Sequence, residues 1–179
     1  MNESELNKSE GNSYLSINSK KLARFAGILF LFQLIPYYVG HEVILGSILY
    51  QEDLISAISQ NRSQIAFAVL LEMLSAFSFI VFSVILYQML KQTNLLIARL
   101  YLGIRFVEFT IIILSEIKLM SLVSISKLYA STGEDQVTLL KELGSVYLYE
   151  WQWITLIYMV VFCINALFFY YLLFKSKLV

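Results

Sequence analysis

Long apolar stretches set the strongest constraint on what this chain can fold into. A helix needs ~20 mainly apolar residues to cross the ~30 Å of hydrocarbon in a bilayer. Across the chain 59% of residues are hydrophobic and 15% are charged, and the mean hydropathy is +0.72, well above that of an ordinary soluble domain. The sequence therefore predicts an all-α, polytopic transmembrane helical bundle with four spans, at about Leu22–Val39, Ile65–Leu90, Leu95–Lys118 and Tyr149–Phe174.

The first span follows a polar segment rich in Ser, Asn, Glu and Lys. This segment lacks the short basic start and the cleavage pattern of a signal peptide. We therefore predict a cytoplasmic tail over residues 1–21 and a single transmembrane domain over residues 22–179. Basic residues are enriched on the cytoplasmic side of membrane proteins. The distribution of basic residues favours a protein of the cell membrane with both termini in the cytoplasm. This orientation places eight basic residues inside, Lys8, Lys20, Lys21, Arg24, Lys91, Arg99, Lys175 and Lys177, and four outside, Arg62, Lys118, Lys127 and Lys141.

Both outer connections have an amphipathic pattern. "EDLISAISQNRS" places aliphatic residues on one side of a helix, and "STGEDQVTLLKELGSVY" offers Ser131 or Thr132 as an N-cap before an apolar stripe. We predict two short interfacial helices here, with re-entry into the bundle as lids over its outer mouth as the alternative. The inner connection "KQTNL" is short, so the second and third spans should form an antiparallel hairpin.

Three residue types mark the outer ends of the spans. Pro36 is expected to kink the first span and Gly40 to end its regular helix. Trp151 and Trp153, at the outer start of the fourth span, are expected to anchor it at the level of the lipid headgroups, where such rings settle.

Ionisable residues interrupt the third span, in the stretch "LGIRFVEFTIIILSEIKLM". At about 100° per residue, Arg105, Glu108 and Glu116 fall on one face of the helix. Arg105 and Glu108 are three residues apart and can pair along it. An unpaired charge near the middle of a bilayer costs at least ~2.5 to 3.5 kcal/mol. This face is therefore predicted to point into the bundle.

Polar residues on the other spans can meet that face. Glu72 lies on the second span, Asn165 marks a possible polar face on the fourth, and the first adds further polar groups. Because Arg105 is one cation for three acids, at least one acid should be protonated, paired with Lys118, or in contact with water or a bound ion. The candidate residues of a ligand or ion site are Arg105, Glu108, Glu72, Glu116, His41, Glu42, Gln33 and Tyr37.

Two functions fit this arrangement. The favoured one is binding of a small molecule or ion by a transporter-like or sensor-like bundle. The alternative is an accessory or scaffold membrane protein in which the charged cluster is a structural staple, because polar side chains hold spans together where lipid gives no hydrophobic drive. The predicted contacts are the lipid bilayer and a second copy of the chain or another membrane subunit.

Enzymatic catalysis is the least favoured function, and no catalytic residue is predicted. The sequence contains no G-x-S-x-G, H-E-x-x-H or phosphate-binding loop. His41 is the single histidine, which excludes a His-rich metal site and a bis-His haem, and a carboxylate-rich metal site from Glu42, Glu72 and Glu116 lacks a diagnostic spacing. No metal and no cofactor is predicted, and the balance of 13 basic and 13 acidic residues offers no field to hold nucleic acid.

Three segments resemble a known family. They are "LARFAGILFLFQLI", "LYLGIRFVEFTIII" and "LFFYYLLFKSKLV", and they are similar to parts of the bacterial domain-of-unknown-function 4386 family of small integral membrane proteins. The likeness covers most of residues 22–179. Arg24 and Gly27 match the opening of the family pattern, and Arg105 and Glu108 match its arginine-and-acid pattern. The resemblance implies an architecture and not a reaction.

The resemblance also carries an expectation about length. Members of the family usually continue past a stretch like "YYLLFKSKLV" into a Pro-containing turn and further spans. The likeness therefore implies either a naturally short member, ending after the fourth span, or a truncated one. In both cases a second copy or another subunit would supply the missing helix contacts.

Overall fold

Every regular element in the described part of the chain is a helix. The computed structural model describes residues 24–25, 27–131 and 136–176. The predicted all-α class is confirmed. In chain order the helices are α1 Gly27–Leu49, α2 Leu54–Gln60, α3 Arg62–Leu90, α4 Leu95–Ser131 and α5 Val137–Ser176.

Three of these helices, α1, α3 and α5, are long and apolar enough to cross a membrane. Large apolar side chains on their outer faces are exposed, among them Ile35, Leu70 and Leu167. A contiguous apolar surface of this kind suits contact with lipid. The chain is therefore a membrane protein with several candidate spans. The helix that carries the predicted third span, α4, is not one of the three.

The helices that carry the last two predicted spans extend beyond the predicted span boundaries. α4 continues past Lys118 to Ser131, and α5 is an unbroken helix of 40 residues from Val137 to Ser176. The predicted second interfacial helix is therefore wrong, since its residues form the first turns of α5. Of the two predicted caps of that helix, Ser131 is the last residue of α4, and Thr132 lies outside the described residues. No proline interrupts residues 119–131 or 137–148, and the one glycine there, Gly144, costs an α-helix only ~1 kcal/mol.

The connection between the first two predicted spans does contain the predicted short helix, α2. Its apolar side packs on protein, since Ile55 and Ile58 are buried. Ile55 packs with Ile125 of α4 and Leu140 of α5. α2 therefore closes one end of the bundle, which we call the α2 end. The opposite end is formed by the turn between α3 and α4, where Asn94 accepts a hydrogen bond from the amide of Ile97.

The first helix does not stop at Gly40 as predicted. It continues to Leu49, and residues Val39–Leu45 adopt wider π-helical turns, which close with the amide of Gly46 donating to the carbonyl of His41, five residues back. Single π turns inside helices are frequent at functional sites. The helix continues because Gly40 keeps a helical backbone, whereas a glycine that ends a helix commonly adopts the left-handed conformation itself. Gly40 instead serves packing, as a Cβ there would lie 3.1 Å from the carbonyl oxygen of Ala68 on α3.

Two apolar clusters fill the two ends of the bundle, and a band of polar side chains lies between them. The cluster at the α2 end includes Ile65, Leu119 and Trp151, and the cluster at the other end includes Phe82 and Leu172. Most of the buried polar residues fall between these two sets along their helices. This polar band includes Gln33, Glu72, Ser75, Arg105, Glu108, Ser115, Glu116 and Asn165.

The close approach of α1 and α3 predicts a strong effect of Gly40→Leu. The added side chain would meet the carbonyl of Ala68 and the side chains of Leu71 and Glu72, so we expect a loss of about 1–3 kcal/mol of stability. Gly103→Leu is the control, because nothing lies within 4 Å of its Cβ position. Thermal unfolding in detergent should show a lower midpoint for Gly40→Leu alone. Equal midpoints for the two variants would contradict the close packing.

Candidate functional site

One buried cluster joins α4 to α5 through charge and hydrogen bonds. The Nη1 of Arg105 donates to Glu108 on the next turn of α4, and Asn165 of α5 donates from Nδ2 to Oε1 of Glu108 at 2.7 Å. The three residues are 5%, 1% and 0% exposed, respectively. Glu108 is therefore held by a cation and by an amide, as a buried carboxylate requires.

Aromatic rings enclose the guanidinium of this cluster. The Arg105 Cζ lies 3.7 Å from the ring centre of Phe79 on α3, and the rings of Tyr101 and Phe162 lie 5.6 and 5.9 Å away. A cation over an aromatic face is attracted to it, more strongly where water is excluded. The Tyr101 hydroxyl in turn donates to Ser83 at 3.0 Å. The Arg105–Glu108–Asn165 cluster is thus closed on the side of α3.

A separate cavity lies among the four long helices. Its volume is about 250 Å³, and its walls come from α1, α3, α4 and α5. Most of the lining is apolar and aromatic, including Phe79 and Phe162, the rings that also cover Arg105. Neither Arg105 nor Glu108 lines it. The polar side chains on its walls include Gln33, Tyr37, His41, Glu72, Ser115 and Glu116.

A histidine and a carboxylate pair at the α2 end of the cavity. Nδ1 of His41 lies 3.2 Å from Oε1 of Glu72, and both side chains are largely buried. The imidazole is stacked between the rings of Tyr37 and Trp151, with centroids 5.1 and 5.6 Å away. His41 lies in the π-helical turns beside Gly40, where α1 comes nearest to α3. The local backbone thus brings His41 to Glu72.

Two further polar groups face the cavity without a hydrogen-bond partner. Both carboxylate oxygens of Glu116 are buried and unpartnered, and so is Oε1 of Gln33. The side chains are 4% and 3% exposed. The hydroxyl of Ser75 is already used, because it donates to the backbone carbonyl of Gln33 at 2.7 Å. Leaving a buried acceptor unpaired costs ~1–3 kcal/mol, and more for a charged group.

The structure divides the predicted site residues into three sets. Arg105 and Glu108 form the closed cluster, whereas Glu72, Glu116, His41, Gln33 and Tyr37 line the cavity. Glu42 is exposed and lines neither. Lys118 was a candidate partner for one of the buried acids. It instead pairs with Glu150 on the surface, with its Nζ 2.6 Å from the carboxylate.

Some residues of the site were missed by sequence reasoning. Trp151 was expected at the headgroups, but it is 3% exposed and stacks on His41, while Trp153 is 65% exposed and faces outward. The expectation for Trp151 was wrong because the two indoles lie two residues apart and point to different sides of α5. Tyr158 and Phe162 also line the cavity. Their spacing of four residues, with Trp151 seven before Tyr158, was the available signal.

The acidic and histidine side chains of the described residues are not grouped as metal ligands. Across residues 24–25, 27–131 and 136–176, no group of three or more His, Cys, Asp and Glu side chains is arranged to hold a metal ion. The lone cysteine, Cys163, is exposed on α5. The cavity therefore offers carboxylates, an amide, an imidazole and aromatic rings as its binding groups.

Comparison with curated proteins and with solved structures found no match for the chain. A family model does match, over residues 25–179. The matched range contains both the Arg105–Glu108–Asn165 cluster and every residue of the cavity wall. The chain belongs to the family described as domain of unknown function (DUF4386).

Proposed function

We propose that this protein is a four-span integral protein of the cell membrane, with both termini in the cytoplasm, that binds a small molecule or ion in its interior cavity. The fourth span in this proposal is α4. Its buried face carries Arg105, Glu108 and Glu116, and its opposite face exposes apolar residues such as Phe106 and Val107. A helix built in this way turns its charges inward and offers hydrocarbon to the lipid.

The cavity is the observation that carries the proposal. Helix bundles build ligand sites in their cores from side chains on facing helices. Here α1, α3, α4 and α5 all contribute to one cavity of about 250 Å³, which combines an apolar wall with a few convergent polar groups. That combination is typical of small-molecule sites. A transporter-like or sensor-like role is consistent with a site in the middle of the bundle.

The Arg105–Glu108–Asn165 cluster supports a different role for its own residues. It is closed by aromatic rings and bonded across α4 and α5, and Arg105 and Glu108 do not line the cavity. We therefore assign this cluster to holding the helices together. An accessory or scaffold protein, the second candidate function, would need only this cluster and would have no use for unpartnered acceptors at the cavity.

The orientation can be tested by labelling single cysteines with a membrane-impermeant reagent. Cys163 is first replaced by Ala to remove the background signal. We expect cysteines at Gln60 and Gln136, both exposed, to react from outside intact cells, and a cysteine at Gln92 to react only after lysis. The reverse pattern would contradict the cytoplasmic placement of the termini. Reaction of all three positions from the same side would contradict the crossing by α3 and by α4.

The structural role of Arg105 predicts that losing the arginine alone destabilises the protein more than losing both members of the ion pair. Arg105→Leu leaves the buried Glu108 without its cation and should cost about 3–5 kcal/mol of stability. Arg105→Leu with Glu108→Leu removes both charges, so it should be more stable than Arg105→Leu alone. The matched control is Arg99→Leu, at an exposed arginine of the same helix. Thermal unfolding in detergent measures all three, and unchanged stability of Arg105→Leu would contradict the assignment.

Filling the cavity should abolish binding. Ser115→Phe places a ring in the cavity, and Thr110→Phe places the same ring on the exposed side of α4. A panel of cationic, neutral and anionic small molecules and of inorganic ions is tested for its effect on the unfolding midpoint. We expect at least one class to stabilise the unmodified protein and Thr110→Phe but not Ser115→Phe. If no class does so, the interior binding site is refuted.

A further inference from the structure

Three buried hydrogen-bond acceptors at the cavity lack a partner. They are the two carboxylate oxygens of Glu116 and the Oε1 of Gln33. Two hydroxyl donors on the same walls are engaged elsewhere, since Ser75 donates to the Gln33 carbonyl and Thr155 to the carbonyl of Trp151. An occupant that brings donors of its own can satisfy these acceptors.

The cations nearest in sequence to Glu116 are also engaged. Arg105 donates to Glu108 behind the ring of Phe79, and Lys118 binds Glu150 on the protein surface. On the cavity wall, His41 is paired with Glu72. Glu116 and Glu72 together are two acids facing the one imidazole. The cavity therefore favours a positively charged occupant and disfavours an anion.

The rest of the cavity lining indicates the chemistry of the uncharged part of that occupant. Aromatic rings, including Tyr37, Phe79, Tyr158 and Phe162, make up much of the lining. A bare Ca²⁺ or Mg²⁺ ion would need about six or more oxygen ligands, and among the described residues no group of three or more His, Cys, Asp and Glu side chains is arranged to hold a metal ion. An organic cation can instead place its charge against the acids and the ring faces and its hydrocarbon against the apolar wall. The volume of about 250 Å³ is below the ~300–1,000 Å³ typical of drug-sized ligands, so the molecule is small.

We propose that the cavity binds a small organic ammonium ion with an apolar body. This proposal rests on the interior site described under Proposed function and names its ligand class. The ammonium donates to Glu116 and to Gln33, with Glu72 adding a second negative charge nearby. The apolar body packs against Phe162 and Tyr158. Glu116 is the specificity residue, because among the described residues it is the one whose two buried carboxyl oxygens both lack a hydrogen-bond donor at the cavity.

The test uses three ammonium probes of increasing size and two matched non-cations. Butylammonium, benzylammonium and 2-phenylethylammonium are titrated into the purified full-length protein in detergent, alongside 2-phenylethanol and 3-phenylpropanoate. Calorimetry measures affinity, and the unfolding midpoint measures stabilisation. We expect at least one ammonium ion to bind, 2-phenylethanol to bind at least about tenfold more weakly than its ammonium analogue, and 3-phenylpropanoate not to bind.

Two glutamate variants test whether the carboxylate of Glu116 binds the ammonium ion. Glu116→Gln keeps the shape of the side chain and removes its charge, so ammonium affinity should fall at least about tenfold while the fold remains intact. Glu142→Gln, at an exposed acid of α5, should leave affinity unchanged. An intact unfolding transition of Glu116→Gln separates lost binding from lost folding.

Each contrary result has a defined meaning. Failure of all three ammonium ions to bind, equal affinity for the alcohol, or unchanged affinity in Glu116→Gln would overturn the organic-cation proposal. If a neutral or anionic molecule binds instead and Ser115→Phe abolishes that binding, the interior site stands and only its ligand class is wrong. If no molecule in either panel binds, both proposals fall together.

Discussion

The cost of a charge inside an apolar bundle governs this structure. Arg105 is 5% exposed in the first third of α4, and a guanidinium cannot be neutralised by losing its proton. It must therefore be paired and covered. Glu108 supplies the pairing, Asn165 holds Glu108, and Phe79 covers the guanidinium. These contacts fix how α4 is rotated and bring one side each of α3 and α5 against it.

Outside the Arg105–Glu108–Asn165 cluster, the rest of the polar band is organised differently. The two ends of the bundle are filled mainly by apolar side chains, so most of the buried polar residues lie in its middle. There the large rings of Tyr37 from α1 and of Tyr158 and Phe162 from α5 line a cavity. A packed interior rarely tolerates a void next to unpartnered carboxylate oxygens. That conjunction distinguishes the cavity from a simple packing defect.

Helical periodicity allowed part of this site to be predicted. Arg105, Glu108 and Glu116 share a face of one helix, and that fact follows from spacing alone. The pairing of Glu72 did not follow, because it depends on the π-helical turns of α1 that bring His41 to it. The lengths of α4 and α5 were missed for a related reason. Charged residues such as Lys118 suggested a membrane boundary, but a helix ends where its backbone bonding ends, and not where lipid does.

The division between cluster and cavity has a chemical consequence that the sequence hides. Four ionisable groups of α3 and α4 lie in the polar band, one cation and three acids: Arg105, Glu108, Glu72 and Glu116. If Arg105 were free to reach the cavity, it would neutralise an acid there and the site would need no further cation. Phe79 covers the guanidinium and also lines the cavity, so Arg105 is paired with Glu108 and kept out of the cavity. The aromatic wall thereby keeps the negative character of Glu116 and Glu72 available to an occupant that carries its own positive charge.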